Sequence, residues 1–221
     1  MRIGIDVSYA INEGTGVGRY SFDLVKALLQ IDRKNEYWLY ANFFFDRELK
    51  AKRLTDLAGR NKNIHLVVTH LPGQLKDWIF WALPSLVRRW LPDLDVFHAL
   101  TFQAAAPVAK KLVLTIHDLS YFENPSWYGT EARFYQESTK RAYQMADLVI
   151  VPSRSTAQDL SRWIGKRKLV RVVPEGVDTR FFIKKRKFKI QNSKFKILAV
   201  GKGARKNIDE VGKPKPSESE G

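Results

Sequence analysis

The 221-residue chain contains no cysteine. Disulfides and thiolate-held metal sites are therefore excluded, and a reducing compartment suits it. Long apolar runs are also missing. The opening MRIGIDVSYA has no apolar stretch behind a basic start, so it does not read as a secretory leader. The uncharged core of a tryptophan-rich segment, Trp78 to Val87, is ten residues long, too short to span a bilayer. No Gly-Lys-Ser/Thr occurs, so there is no Walker loop. Zinc-ligand spacing, an arginine-rich helix and an RNA-binding aromatic motif are missing as well, and nothing marks a specific nucleic-acid partner. Acidic residues are the scarcer charge, 23 against 38 Lys and Arg, for a net +15. From Phe182 onward there are twelve basic and four acidic residues, so over half of the excess lies in the last forty positions. Such a surface attracts nucleic acid, anionic lipid or phosphorylated ligands, or is a solvated basic linker.

What is present is an alternation. Continuous apolar runs read as strands over 2–8, 36–44, 63–70, 95–100, 111–118, 147–153 and 168–174. Between them, helical periodicity covers 18–31, 46–58, 75–91 (interrupted by Pro84), 131–146 and 155–165. In the first helix Tyr20, Leu24, Ala27, Leu28 and Ile31 define the apolar face. Alternating strands and helices with unbroken apolar strands predict an α/β fold, a mostly parallel sheet with helices on both faces. Ligands of such sheets gather at the carboxyl ends of the strands, here the loops after Ser8, Leu100, Ile116 and Val151.

The first of these loops holds EGTGVGRY, residues 13–20. Gly14, Gly16 and Gly18 give the freedom for positive φ and for close backbone approach of a ligand. The helix behind them offers amides to an anion, and Arg19 adds a fixed charge. A dinucleotide fingerprint needs a third glycine where Arg19 stands and an acid where the second strand ends in Asn42. A nicotinamide enzyme is disfavoured, while a loop whose glycines serve only the turn remains open.

The stretches MRIGIDVSYAINEGTGVGRYSFDLVKAL, DVFHAL, LTIHDLSYFENPSWY, ADLVIVPSRSTAQDL, VVPEGVD and ILAVG…RKN occur in the order of family 4 of the glycosyltransferases. The chain resembles the mannosyltransferase-like members of that family up to about Ile208. The resemblance implies a Rossmann-like N-terminal half of a GT-B enzyme, in which two such domains face each other across the active site. It implies retaining, metal-free transfer of a hexose such as mannose from a nucleotide-sugar to a glycan or lipid-linked acceptor. By the same resemblance, Gly16 and Gly18 face the donor diphosphate and the acceptor. His117 lies near the donor sugar with Asp118 beside it, and Arg205 and Lys206 neutralise the leaving diphosphate. The chemistry is consistent, because a metal-free departing phosphate oxygen needs cationic partners and a strand-end histidine suits a sugar contact or a proton shuttle.

Other residues carry plainer expectations. His98 sits at a strand end facing the same cleft, while His65 and His70 read as structural. Asp118 also suits a helix cap or turn, and Glu175 reads as a turn residue at the domain exit. The domain expectation is an acceptor-side domain over 1–181, a basic linker over 182–194, and a donor-domain remnant with a disordered tail over 195–221. The spacing from Val-Gly to Arg-Lys is short, and the family's Glu-x7-Glu signature is lacking. A truncated product, inactive alone, is therefore expected, with a non-catalytic nucleotide- or glycan-binding module as the alternative. Trp78, Trp81 and Trp90, interleaved with Lys76, Arg88 and Arg89, suit either core packing or an interfacial helix on an anionic membrane. The expected location is cytoplasmic, peripheral on the inner membrane face.

Overall fold

A computed structural model describes residues 1–12, 14–43, 45, 47–59, 61–102, 109–166 and 169–176. The proposed linker, the donor-domain remnant with its strand at 195–201, Arg205 and Lys206 lie outside them. Seven strands form one sheet: β1 Arg2–Asp6, β2 Glu36–Asn42, β3 Ile64–Thr69, β4 Leu94–Ala99, β5 Ala109–Thr115, β6 Leu148–Val151 and β7 Val170–Val172. Their order is β3-β2-β1-β4-β5-β6-β7, and every pairing is parallel. The helices are α1 Gly16–Ile31, α2 Arg47–Ala58, α3 Gly73–Ala82, α4 Pro84–Val87, α5 Ser120–Glu123, α6 Glu131–Met145 and α7 Arg154–Trp163. This is the expected Rossmann-like α/β arrangement, in keeping with one half of a GT-B enzyme.

Side-chain alternation along the strands divides the core into two layers. On β2, Tyr37, Leu39 and Ala41 join Ile5, Val25, Leu29 and Leu54 on the face carrying α1 and α2. Tyr40 points the other way, to Phe80, Phe97, Leu114 and Tyr143. Gly4 in β1 faces the second layer closely: an added Cβ would lie 2.5 Å from Leu94 and 2.7 Å from Phe97. A side chain there would force Leu94 and Phe97 to shift.

The α1 face is not the one anticipated. Its buried stripe is Gly18, Ser21, Val25 and Leu29, while Ile31 is 79% exposed and Ala27 is also open. Tyr20, Leu24 and Leu28 flank that stripe, half-buried against the same layer. The broad contact of a helix with a sheet accepts two adjacent rows. The tryptophan-rich segment breaks at Leu83, before Pro84, as proline requires. Its two readings divide by residue: Ile79 and Phe80 are core, Leu86 and Trp90 pack half-buried against it, and Leu75 and Trp78 face outward. Among the described residues no helix is long and apolar enough to cross a membrane.

Candidate functional site

The sheet reverses its order between β1 and β4. From β1 the chain goes on to β2 on one side and from β4 to β5 on the other, and a cavity lined by Tyr9, Val17, Thr101 and His117 lies at this reversal point. On its β1 wall the chain makes successive tight turns before α1, with Ala10 N bonded to Val7 O at 3.0 Å and Asn12 N to Tyr9 O at 2.9 Å. Thr15, in extended conformation, caps α1 by accepting the Gly18 amide at 3.1 Å. Its hydroxyl in turn donates to the Asn12 carbonyl at 3.1 Å.

The three glycines serve differently from the expectation. None adopts positive φ; the described glycines that do are Gly59, Gly129 and Gly165. A Cβ on Gly18 would lie 1.9 Å from the Asn12 carbonyl oxygen, so this glycine lets the loop pack on its own helix. A Cβ on Gly16 would meet nothing within 4 Å, leaving the head of α1 open to approach. Arg19 Nε donates to Asp23 Oδ2 at 2.7 Å, one helical turn along.

On the opposite wall His117 follows β5. Its Nε2 lies 3.1 Å from the Leu100 carbonyl oxygen and its Nδ1 3.1 Å from Glu175 Oε1. The Tyr20 ring of α1 meets the imidazole edge-on, with centroids 4.8 Å apart. His117 is thus held from β4, α1 and the segment after β7 at once, and its side chain is 15% exposed. Glu175 is therefore an ion-pair or hydrogen-bond partner of the candidate histidine and more than a turn residue. Its signal was available: β7 ends at Val172, so Glu175 leaves a strand's carboxyl end like the other site residues.

Beneath His117, His98 Nε2 bonds the Thr115 hydroxyl at 2.9 Å. Burial, with a smaller contribution from the charge of His117, pushes its imidazole down to about 4, so it is neutral at pH 7. Burial likewise raises the Tyr20 phenol; the Thr115 hydrogen bond opposes this, and the Glu175 carboxylate adds to it. Asp118 Oδ1 accepts both the amide and the hydroxyl of Ser120, and Ser120 Oγ contacts Tyr128 OH at 2.5 Å. That is the turn role anticipated for an aspartate at this place.

The cavity, of about 260 Å³, adjoins these groups, with Phe102, Tyr121, Tyr128 and Tyr135 facing His117 and Asp118. Several tyrosine hydroxyls turn to protein partners, Tyr121 to Thr139 at 2.7 Å and Tyr135 to Glu131 at 2.9 Å. What they offer the cavity is mainly ring surface, suited to apolar groups or the C–H face of a sugar.

Asn42 shows why no ribose-gripping acid stands at the end of β2. Its Oδ1 accepts from Thr69 Oγ1 at 2.8 Å and Leu71 N at 2.9 Å, and its Nδ2 donates to Leu71 O at 3.0 Å. The residue laces β2 to β3. His65 stacks on Trp38, and His70 Nδ1 contacts the Phe43 carbonyl at 2.9 Å, both structural. Among the described residues no group of three or more His, Asp or Glu is placed to hold a metal ion.

A sequence model of Glycosyltransferase Family 4 matches residues 14–181. The chain belongs to that family. No curated protein matches it.

Proposed function

We propose that the crevice receives a nucleotide-sugar and that its hexose, of the mannosyl kind, passes to a glycan or lipid-linked acceptor with retained configuration. One convergence supports this reading. In a chain matched by the family over residues 14–181, the head of α1 and His117 flank the sheet's reversal point beside a ring-lined cavity. Gly16 and the α1 amides face the donor diphosphate, and Gly18 holds the loop in shape. Arg19, with Arg205 and Lys206 of the donor side, meets the charge that develops on the departing oxygen, without a metal or cofactor. His117 approaches the donor sugar, with Asp118 fixing the turn behind it.

The acceptor side also carries a membrane proposal. Leu75 and Trp78 are 43% and 57% exposed on α3, and Arg88 and Arg89, which follow α4, are exposed as well. An outward tryptophan and exposed arginines in one segment suit peripheral contact with an anionic surface, from the cytoplasmic side.

One observation favours a non-catalytic nucleotide- or glycan-binding module as the second reading. Both ring nitrogens of His117 already face acceptors, so neither is open for proton transfer in this arrangement. The deciding experiment measures binding and transfer by the purified chain with a panel of nucleotide-sugars and oligosaccharides, with and without anionic vesicles. Transfer with retained anomeric configuration, reduced at least about a hundredfold in His117→Ala, is expected of the enzyme. Binding without transfer supports the module only if a donor-binding domain of the family, supplied as a second chain, fails to bring transfer back; restored transfer supports an enzyme that is inactive alone. Binding of neither class overturns both readings.

A further inference from the structure

Both ring nitrogens of His117 face oxygen atoms that can accept a hydrogen bond, the Leu100 carbonyl and the Glu175 carboxylate. The Leu100 carbonyl has no hydrogen to give, so Nε2, 3.1 Å away, must carry one. In a neutral ring Nδ1 would then be bare, its lone pair facing a Glu175 oxygen 3.1 Å away. Two acceptors at that distance repel unless a proton lies between them. Of the two groups an imidazole is intrinsically the more basic. The Glu175 side chain is 46% exposed, so its carboxylate keeps much of its hydration. The proton therefore belongs on the ring.

The other titratable groups around the ring agree with this placement. Tyr20 from α1 is held as the neutral phenol, and His98 from β4 as the neutral imidazole, so neither adds a competing cation. Asp118, next in the chain, is a second carboxylate, engaged with Ser120. Glu175 reaches this position from the far side of the sheet. Val173 N bonds to Val151 O of β6 at 2.9 Å, and the chain then turns back past β6 toward the end of β5.

The geometry points to Glu175 as the positioning residue of His117, fixing the ring and holding it as an imidazolium. In that state His117 forms the crevice wall as a fixed cation with two engaged hydrogens, and does not serve as a base. The consequence for transfer rests on the proposed function: a cation there favours a departing anionic oxygen. The proton placement itself does not depend on any substrate.

The test is ¹⁵N-detected NMR of the full chain, whose four histidines make assignment through His117→Gln direct. At pH 7 the wild-type His117 signals are expected to show hydrogens on both ring nitrogens. In Glu175→Gln the doubly protonated population falls several-fold and the ring becomes the Nε2–H tautomer. The His65 ring, stacked on Trp38 at 4.4 Å, reports that the fold is unchanged. Glu175→Ala is the second variant, with the same expected loss. A neutral His117 in the wild type overturns the inference, as do unchanged His117 signals in the folded variants. Because no donor or acceptor is present, these outcomes are separate from failure of the transferase reading.

Discussion

Along the amino edge of the sheet, Arg2, Glu36, Asp95 and Lys110 answer one another's charges in water. Along the carboxyl edge, Asn42, His98 and His117 are held by backbone atoms and neighbours largely out of it. The amino edge has the roomier depression, about 740 Å³ against about 260 Å³ beside His117. Its charges are exposed: Lys110 Nζ reaches Asp95 Oδ1 at 2.7 Å, and Arg2 Nε lies 3.8 Å from Glu36 Oε2. At the carboxyl edge the chain's own carbonyls, turns and caps fix each side chain. Room alone does not aim a reacting group; side chains locked by their surroundings do.

If that contrast is right, the largest loss follows from disturbing the carboxyl-edge loop. Gly18→Ala drives a methyl into the Asn12 carbonyl, 1.9 Å from the built Cβ, and backbone cannot yield as a flexible side chain does. The expected cost is about 3 kcal/mol or more, read by denaturant unfolding. Gly16→Ala, with open space at the same distance, is expected to leave stability unchanged or slightly raised. Equal losses in the two variants would remove the distinction between the packing glycine and the approach glycine.

Next in size is a pH effect from His98. Its folded-state value, about 4, lies below the ordinary 6.5, so the unfolded chain binds the proton more readily. The stability tied to the neutral ring is whole above about pH 6.5 and is lost as pH falls toward 4. By pH 4 the loss is about 3 kcal/mol relative to a residue that does not titrate. His98→Gln keeps a polar partner for Thr115 and lacks this limb. The stability difference between the two proteins is expected to swing toward the variant by that amount between pH 7 and pH 4. A constant difference across the range would show that His98 is not held neutral.

These two tests also mark where the sequence is readable. All seven described strands overlap apolar runs; burial on both faces explains this for β1 and β2, whereas at the edge strand β7 Arg171 and Val172 are exposed and the apolar run alone marked it. The α1 face was harder to read because Ser21, fully buried, interrupts its apolar row, and Thr15 sets the helix start through a cap. The glycine loop and His117 were found from strand-end position and family resemblance. The partnership of His117 with Glu175 was not, since 58 residues separate them and local spacing carries no trace of it. The role of Gly18 was likewise hidden, because what crowds it is a carbonyl from its own preceding turn.

The smallest effect belongs to the amino edge and is the sharpest check on the contrast. The Lys110 hydrogen bond, aided by the Arg2 amide, lowers the Asp95 carboxyl below its ordinary range. A carboxyl lowered on folding favours the folded state above its unfolded value, and that contribution fades as pH drops through the folded one. Both partners stand in water, where side-chain entropy and screening cancel most of such a pair. Lys110→Ala is therefore expected to leave the melting temperature at pH 7 unchanged within error, at low and at high salt. Its trace should appear only on the acid limb, where Asp95 protonates at higher pH than in the wild type, because the Arg2 amide alone still holds it. A melting-temperature drop at pH 7 comparable with that of Gly18→Ala would mean that the amino edge is as tightly constrained as the crevice. The roomier depression would then have equal standing as a place where side chains are aimed.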